Sequence, residues 1–344
     1  MSTKVKETDT ASSEVKPVTE QTTPSELTDQ VKQLSLSESK KKSTSTTTKD
    51  KNEKKKVIKK KTNVSRAKKI FGKDPEQEIL NMIQIACNDS FQLPDFRETL
   101  QNIKSLFYVR DYDGVFSVPE HLPVYTAQYI PARALCYYNL FSTEPELQAI
   151  LSRKSHLYCM GAGTGSELVG ISAAMLHAPS EKQEIVCHTQ DIADWSKVLE
   201  DLEVTMRNRW DLQENHLKCE FSMGSVLETT PQLEEQFQKA DLITAMFVMN
   251  ELFVTKKRAM DMISLLIKNM RKGSHLLIVD SAGSFSNLQV GERTYMIYML
   301  FDALKNHFAP VISDNARWYR YPSHLRYPLD LNNMRYFVRL YEKL

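Results

Sequence analysis

An α/β fold on a mostly parallel, doubly wound sheet is what the sequence predicts, and three observations carry the prediction. Between residues 151 and 344, five short apolar runs alternate with amphipathic stretches of helical period, the pattern of strands that cross over through helices. The first run is followed at once by Met160-Gly161-Ala162-Gly163-Thr164-Gly165, which holds three of the chain's ten glycines and opens a helical stretch. Ahead of this region lie helical segments, and ahead of those a basic tail too poor in apolar residues to fold.

In chain order, residues 1–69 are expected to be a disordered Lys/Ser/Thr-rich tail, since residues 1–66 contain no aromatic side chain to bury. Residues 70–150 read as a helical extension. Asp74-Pro75 supplies an N-cap and a proline at the first helical position, and Ile79, Leu80, Met82, Ile83 and Ala86 then recur at helical spacing. A second helix starts near Asp95, with Phe96, Leu100, Ile103 and Phe107 on one face. After Arg110-Asp111-Tyr112 a loop with Pro119, Pro123 and Pro131 leads into a helical stretch over 133–141. The catalytic domain, 151–344, is expected to have strands over 156–160, 185–189, 219–222, 242–248 and 276–280. Helices are expected over 167–176, 195–209 and 256–270. The segment 295–308 follows, and the closing run 335–341 reads as a terminal edge or antiparallel strand.

Charge divides the chain as sharply as hydropathy does. The net charge of +2 sums +12 over residues 40–69, −3 over 1–39 and −7 over 70–344. A uniformly basic nucleic-acid coat is therefore excluded; the pattern is a basic arm on a mildly acidic body. Lys40–Lys42, Lys54–Lys56 and Lys59–Lys61 suit nuclear or nucleolar import and salt-sensitive contact with RNA phosphates, or else simple solubilisation. No apolar run is long enough to cross a bilayer, and no secretory signal opens the chain. Five cysteines without paired spacing (Cys87, Cys136, Cys159, Cys187, Cys219) fit reduced thiols. The eight scattered histidines predict no metal site.

The glycine loop narrows the ligand. A dinucleotide site asks for G-x-G-x-x-G/A, but here Ser166 and Glu167 follow, and the third glycine falls one place early. The G-x-G-x-G spacing is that of S-adenosyl-L-methionine enzymes, which seat no pyrophosphate. Past the second strand, where a ribose-binding acid is expected, stand Asp191 and Asp194. A competing role as helix N-cap fits Asp194 better. Gly224-Ser225-Val226-Leu227 occupies the adenine edge. After the fourth strand, Asn250 offers a donor and an acceptor to an amide or imide edge, and Glu251 can hold an N–H or take its proton. An alternative is that the pair caps the following helix. Asp280 begins a similar crevice loop over 280–284.

Several segments together resemble a known family. They are Arg110-Asp111-Tyr112, the stretch from Tyr125 through Pro131-Ala132-Arg133-Ala134-Leu135, residues 161–168, Asp191-Ile192-Ala193-Asp194-Trp195, Met246-Phe247-Val248-Met249-Asn250-Glu251-Leu252 and Val279-Asp280-Ser281-Ala282-Gly283-Ser284. The most specific are Ser313-Asp314-Asn315-Ala316-Arg317-Trp318, Tyr327-Pro328 and Asn333-Met334-Arg335-Tyr336. Over residues 75–342 the chain is similar to the fungal 25S rRNA (uridine-N3)-methyltransferases. It departs from them at Ala282, Ala316 and Ser225, where Pro, Ser and Asp are expected. The resemblance implies a Rossmann-like class I methyltransferase using S-adenosyl-L-methionine, with large-subunit rRNA or a pre-ribosomal particle as partner. It implies cofactor contacts from Gly161, Ala162, Gly163, Gly165, Glu167, Asp191, Ser225 and Val226. Arg133 is expected to meet the methionine carboxylate beside Tyr125. Glu251 or Asp280 would accept the N3 proton, Asn250 would read the uracil edge, and Arg317, Trp318, Tyr327 and Arg335 would hold RNA. Two alternatives share the cofactor half: methylation of a protein, and an assembly factor that keeps the fold without turnover.

Overall fold

The structure, a computed structural model, describes residues 73–344 apart from 179, 181, 284–286 and 291–292, and gives 287–290 as backbone alone. The tail, with its expected roles in import and RNA contact, lies outside the described residues, as does Ser284. Helix α1 (Pro75–Ala86) starts where expected, with Asp74 Oδ1 accepting the Gln77 N–H at 3.1 Å. Helices α2 (Asn88–Phe91) and α3 (Phe96–Val109) follow, and α3 stops at Arg110, whose φ is +60°. Helix α4 (Tyr112–Phe116) is a short turn held by Asp111, whose Oδ1 accepts the Gly114 N–H at 2.9 Å.

The proline-bearing stretch corrects an expectation. Most of the predicted loop is helix α5 (His121–Thr143), 23 residues long. Pro123 falls in the first turn, where its missing N–H costs nothing. Pro131 sits in the interior and deprives the Ala127 carbonyl of its helical donor. That oxygen instead accepts the Tyr327 hydroxyl at 2.9 Å.

Helix α6 (Pro145–Leu151) leads into the alternation the sequence predicts: β1 (Lys154–Met160), α7 (Ser166–His177), β2 (Glu184–Asp191), α8 (Ser196–Trp210), β3 (Leu217–Met223), α9 (Pro231–Lys239), β4 (Leu242–Met246), α10 (Met249–Leu252), α11 (Lys256–Asn269) and β5 (His275–Ser281). A hairpin, β6 (Asn287–Val290) and β7 (Arg293–Met296), then α12 (Ile297–Ala303), β8 (Phe308–Tyr319) and β9 (Met334–Lys343) complete the order. The main sheet has seven strands, β3-β2-β1-β4-β5-β9-β8. Strands β1 to β5 pair in parallel, and β9 runs antiparallel to both neighbours. The closing run is thus antiparallel but interior, and the edge belongs to β8. Sequence reading missed that strand because polar residues and two register shifts, at Pro310/Ile312 and Asp314/Arg317, break its alternation.

Strand residues sort to the two faces with period two. Leu157, Cys159, Leu277, Val279, Val338 and Leu340 join the core with α1, α3, α5, α7 and α8. Tyr158, Met160, Ile278, Phe337 and Tyr341 join the core with α9, α11 and α12. Helices α5 and α7 pack closely because Gly170 leaves room: a Cβ there would lie 2.7 Å from the Tyr137 Cβ. Among the described residues no helix is long and apolar enough to cross a membrane. No group of three or more His, Cys, Asp or Glu among them could hold a metal ion.

Candidate active site

The loop between β1 and α7 needs its glycines for separate reasons. Gly161 and Gly165 have φ of +63° and +80°, a region that side chains rarely enter. The turn is fixed by the Gly161 N–H on the Gln190 carbonyl at 2.8 Å and by the Gly165 N–H on the Ala162 carbonyl at 3.0 Å. Gly163 is required by packing, since a Cβ would fall 1.9 Å from Trp195 Cδ1. Gly163→Ala must therefore displace the buried indole, with an expected fall in Tm of roughly 2–10 °C. An unchanged Tm in a thermal scan would show that Trp195 yields freely.

Beside this loop, at the carboxyl ends of β1 to β4, a cavity of about 530 Å³ opens. A pocket of that volume suits a small-molecule ligand. Gly161, Asp191, Ser225, Val226 and Glu251 line it, with Gln190, Arg258 and the Arg110–Asp113 segment of the helical extension. Asp191 accepts the Gly163 N–H on Oδ2 at 3.0 Å and the Ala193 N–H on Oδ1 at 3.1 Å. Burial raises its pKa, while the hydrogen bonds from Ala193 and Gly163 pull it back. Asp194 is exposed and stands one residue ahead of the α8 N-cap, Trp195, accepting the Ser196 N–H at 3.1 Å in a local turn rather than capping the helix. The two acids therefore do different jobs. Ser225 Oγ accepts the Leu227 N–H at 3.2 Å, and Ala162 is buried within the loop.

Behind this wall lies a caged guanidinium. Arg133 donates from Nη1 to the Tyr125 hydroxyl at 2.8 Å, and its charge sits 5.7–5.8 Å from the Tyr125, Tyr129 and Phe247 ring centres. Among the described residues no carboxylate comes within 4.0 Å of it; Glu251 acts on it only from farther away. Glu167, in the first turn of α7, is 2% exposed, and its Oε1 has no partner among the described residues. Burial raises the Glu167 pKa well above the usual carboxylate range. The nearby Tyr137 hydroxyl is likewise buried without a partner among the described residues. Phe247, which forms one wall of the cage, has φ +57°, a costly conformation for an aromatic residue.

The Asn-Glu pair projects from α10, just past β4. Asp280 at the end of β5 is fully buried. Its Oδ2 accepts the Met249 N–H at 3.1 Å, and its Oδ1 accepts the Asn250 amide at 3.0 Å and the Ser281 N–H at 2.7 Å. These bonds make Asp280 the brace of the pair. Asn250 is held from below rather than capping a helix. Glu251 is half-buried against the cavity, and its pKa is pushed up to about 8. Burial is the main cause; Arg133 opposes it, and the Asp191 and Asp280 charges add to it.

The four C-terminal candidates separate. Trp318 is 51% exposed, with the Arg320 and Arg335 guanidiniums 4.8 and 6.0 Å from its ring. Arg335 stands beside the loop after β5, where its carbonyl accepts the Ala282 N–H. Arg317 turns to the other face and pairs with Glu144 and with Asp314, the latter at 3.0 Å. Tyr327 is half-buried against α5. Sequence reasoning assigned no site role to Gln190, Arg258, Arg320, Tyr129 or the Arg110–Asp113 segment. Only Arg110-Asp111-Tyr112 and Tyr129 carried a signal, as parts of segments in the family resemblance.

Comparison with known proteins adds three findings. A family model described as "Putative SAM-dependent methyltransferase" matches residues 83–342. The 25S rRNA (uridine(2843)-N(3))-methyltransferase of Saccharomyces cerevisiae is 31% identical over 313 residues, covering 78% of this chain and 86% of that protein. Among solved structures, an S-adenosylmethionine-dependent methyltransferase from Clostridium acetobutylicum aligns with a TM-score of 0.38 and 10% identity, over 60% of this chain and 91% of that one. The N-methyltransferase NodS from Bradyrhizobium japonicum, in complex with S-adenosyl-L-homocysteine, aligns with a TM-score of 0.34 and 12% identity, over 64% and 96%.

Proposed function

The chain belongs to the SAM-dependent methyltransferase family whose model spans residues 83–342, and from that premise we propose that it methylates N3 of a uridine in large-subunit rRNA. The observation that carries the chemistry is the placing of Glu251 on the cavity with Arg133 behind it, a base for the substrate and an unpaired cation for the cofactor. S-adenosyl-L-methionine, when bound, supplies a methyl group on a positively charged sulfur. Arg133 fits its carboxylate, and the orphaned Glu167 oxygen fits its ammonium group. Asp191 serves the ribose hydroxyls, Ser225 and Val226 the adenine, and Gly161, Ala162, Gly163 and Gly165 the close approach of the loop.

N3 of uracil pairs with a partner base, so the target must leave its stack or come from a loop. Its N3–H is only weakly acidic. Glu251 would take that proton and leave the N3 electron pair free for a methyl group released from the sulfonium, whose sulfur would keep the bonding pair as a neutral thioether; a carboxylate of pKa about 8 has enough basicity to do so near neutral pH. Asn250, braced by Asp280, reads the imide edge. Asp280 thereby positions the reader and leaves the proton to Glu251. Trp318 stacks on RNA, with Arg320 and Arg335 meeting phosphates. The helical extension 70–150 completes the cavity of the catalytic domain 151–344, and the basic tail supplies import to the nucleus or nucleolus.

The experiment is methylation of large-subunit rRNA from cells lacking the gene, read by nucleoside mass spectrometry. Formation of 3-methyluridine is expected; any other methylated nucleoside, or transfer only to protein, overturns the substrate. In the same system Trp318→Ala should weaken RNA binding by roughly 5- to 100-fold while S-adenosylhomocysteine binds as before. Equal RNA affinity of the two proteins in a filter-binding titration would remove Trp318 from the interface.

A further inference from the structure

Helix α5 runs on through Pro131, and the groups of the cofactor cage lie on both sides of that proline. Tyr125 and Tyr129 precede it, while Arg133 follows it. The 2.8 Å hydrogen bond from Arg133 to the Tyr125 hydroxyl therefore spans the proline. Whether the two meet depends on how the helix bends there. An interior proline leaves that bend loosely determined, because it removes one rung of the hydrogen-bond ladder. The missing rung is the donor to the Ala127 carbonyl, and the Tyr327 hydroxyl fills that place from 200 residues away.

Tyr327 is itself firmly held. Its ring meets Phe91 edge-on at 5.9 Å. The residue before it is clamped to α1 from both directions: the Arg326 N–H donates to Gln77 Oε1 at 2.7 Å, and Gln77 Nε2 donates to the Arg326 carbonyl at 2.9 Å. Farther along, Gln128 of α5 reaches the Asp330 carbonyl at 3.4 Å. The segment 324–330 thus behaves as a splint laid across the weak point of the helix. Burial raises the Tyr327 pKa, so the hydroxyl keeps the proton it donates.

We propose that Tyr327 is a positioning residue for the cofactor: by donating to the Ala127 carbonyl it fixes the course of the helix at Pro131, and so holds Arg133 in its cage. The proposal rests on the reading of Arg133 as the group that meets the methionine carboxylate. It turns Tyr327 from an RNA contact, as the sequence suggested, into a support for the cofactor end of the site.

A mutant cycle on the full chain tests this, with S-adenosylhomocysteine affinity read by calorimetry and thermal stability alongside. Tyr327→Phe keeps the ring and removes only the donor. It should weaken affinity by about three- to tenfold, the equivalent of one lost buried hydrogen bond, and raise KM for the cofactor with little change in kcat. Pro131→Ala restores a backbone N–H four residues beyond Ala127. In that background, adding Tyr327→Phe should change affinity by less than about 1.5-fold. Equal losses in both backgrounds, or a loss of stability with affinity unchanged, would overturn the proposal. RNA affinity should not respond to Tyr327→Phe, and a fall confined to RNA would return the residue to the substrate. If Arg133→Ala leaves S-adenosylhomocysteine affinity intact, the reading of Arg133 fails instead, whatever the cycle shows.

Discussion

Glu251→Gln is expected to slow methyl transfer by about 10²- to 10⁴-fold while S-adenosylhomocysteine affinity stays within about twofold. The amide keeps the size and a polar end but cannot take the N3 proton. The acidity of Glu251 gives the prediction a second axis. Because the folded protein holds its pKa at about 8, only the fraction ionised can act as a base, and kcat/KM, which reports the free enzyme, should rise with pH with its midpoint near that value. Glu251→Gln should flatten the profile. A steep profile surviving in the variant would assign the titration elsewhere. Stability runs the opposite way. The folded pKa lies above the ordinary carboxylate value, so between about pH 4.5 and 8 the folded chain binds more protons at this site than the unfolded chain. The Glu251 contribution to stability is present in full below that window and is lost as pH rises through it. The residue is poised for reaction at the expense of the empty fold.

Arg133→Ala should cost the cofactor about 10- to 150-fold in affinity, as expected for a charge-assisted bond to a carboxylate. Arg133→Lys should recover only part of that, because three rings and a tyrosine hydroxyl surround a flat guanidinium, and a lysine ammonium fills neither the plane nor the fork. Calorimetric titration with S-adenosylhomocysteine measures both. Full affinity in Arg133→Ala would mean that the carboxylate is held elsewhere, and the orphaned Glu167 oxygen would then need another partner too. Since the variant leaves Glu251 and Asn250 in place, residual turnover at saturating cofactor should persist.

What was legible in the sequence was what short range determines. The five parallel strands, the glycine loop, and the acids after β2 and β4 all advertise themselves within a few residues. Arg317 and Trp318 show the limit. They are neighbours, so period two sends them to opposite faces, but only the packed sheet decides which one meets solvent. The wrong loop around Pro131 has a similar cause, since the hydroxyl that makes an interior proline tolerable comes from the far end of the chain. Asp280 was recognisable as a crevice acid. Its use as a brace follows from the β4–β5 register, which sets Met246 beside Val279 and brings the Met249 N–H onto the carboxylate. The cage around Arg133 was legible only through family resemblance, because its walls come from α5 and from the end of β4.

The ties between α1 and the C-terminal segment also govern how the molecule assembles. Glu76 accepts the Tyr319 hydroxyl, Asp74 meets His324, and Gln77 meets Arg326, across sequence separations of 243, 250 and 249 residues. Closing such loops must be repaid by contacts that form only once both ends have arrived, which makes folding slow for the length of chain involved. These ties can close only once β8 and the segment after it have arrived, so they are expected late in refolding, and an extension not yet tied down is prone to association. Chaperone dependence and a slow refolding phase that reports on α1 are the expected marks. Deleting residues 73–116 to isolate the sheet should yield aggregate rather than a smaller enzyme.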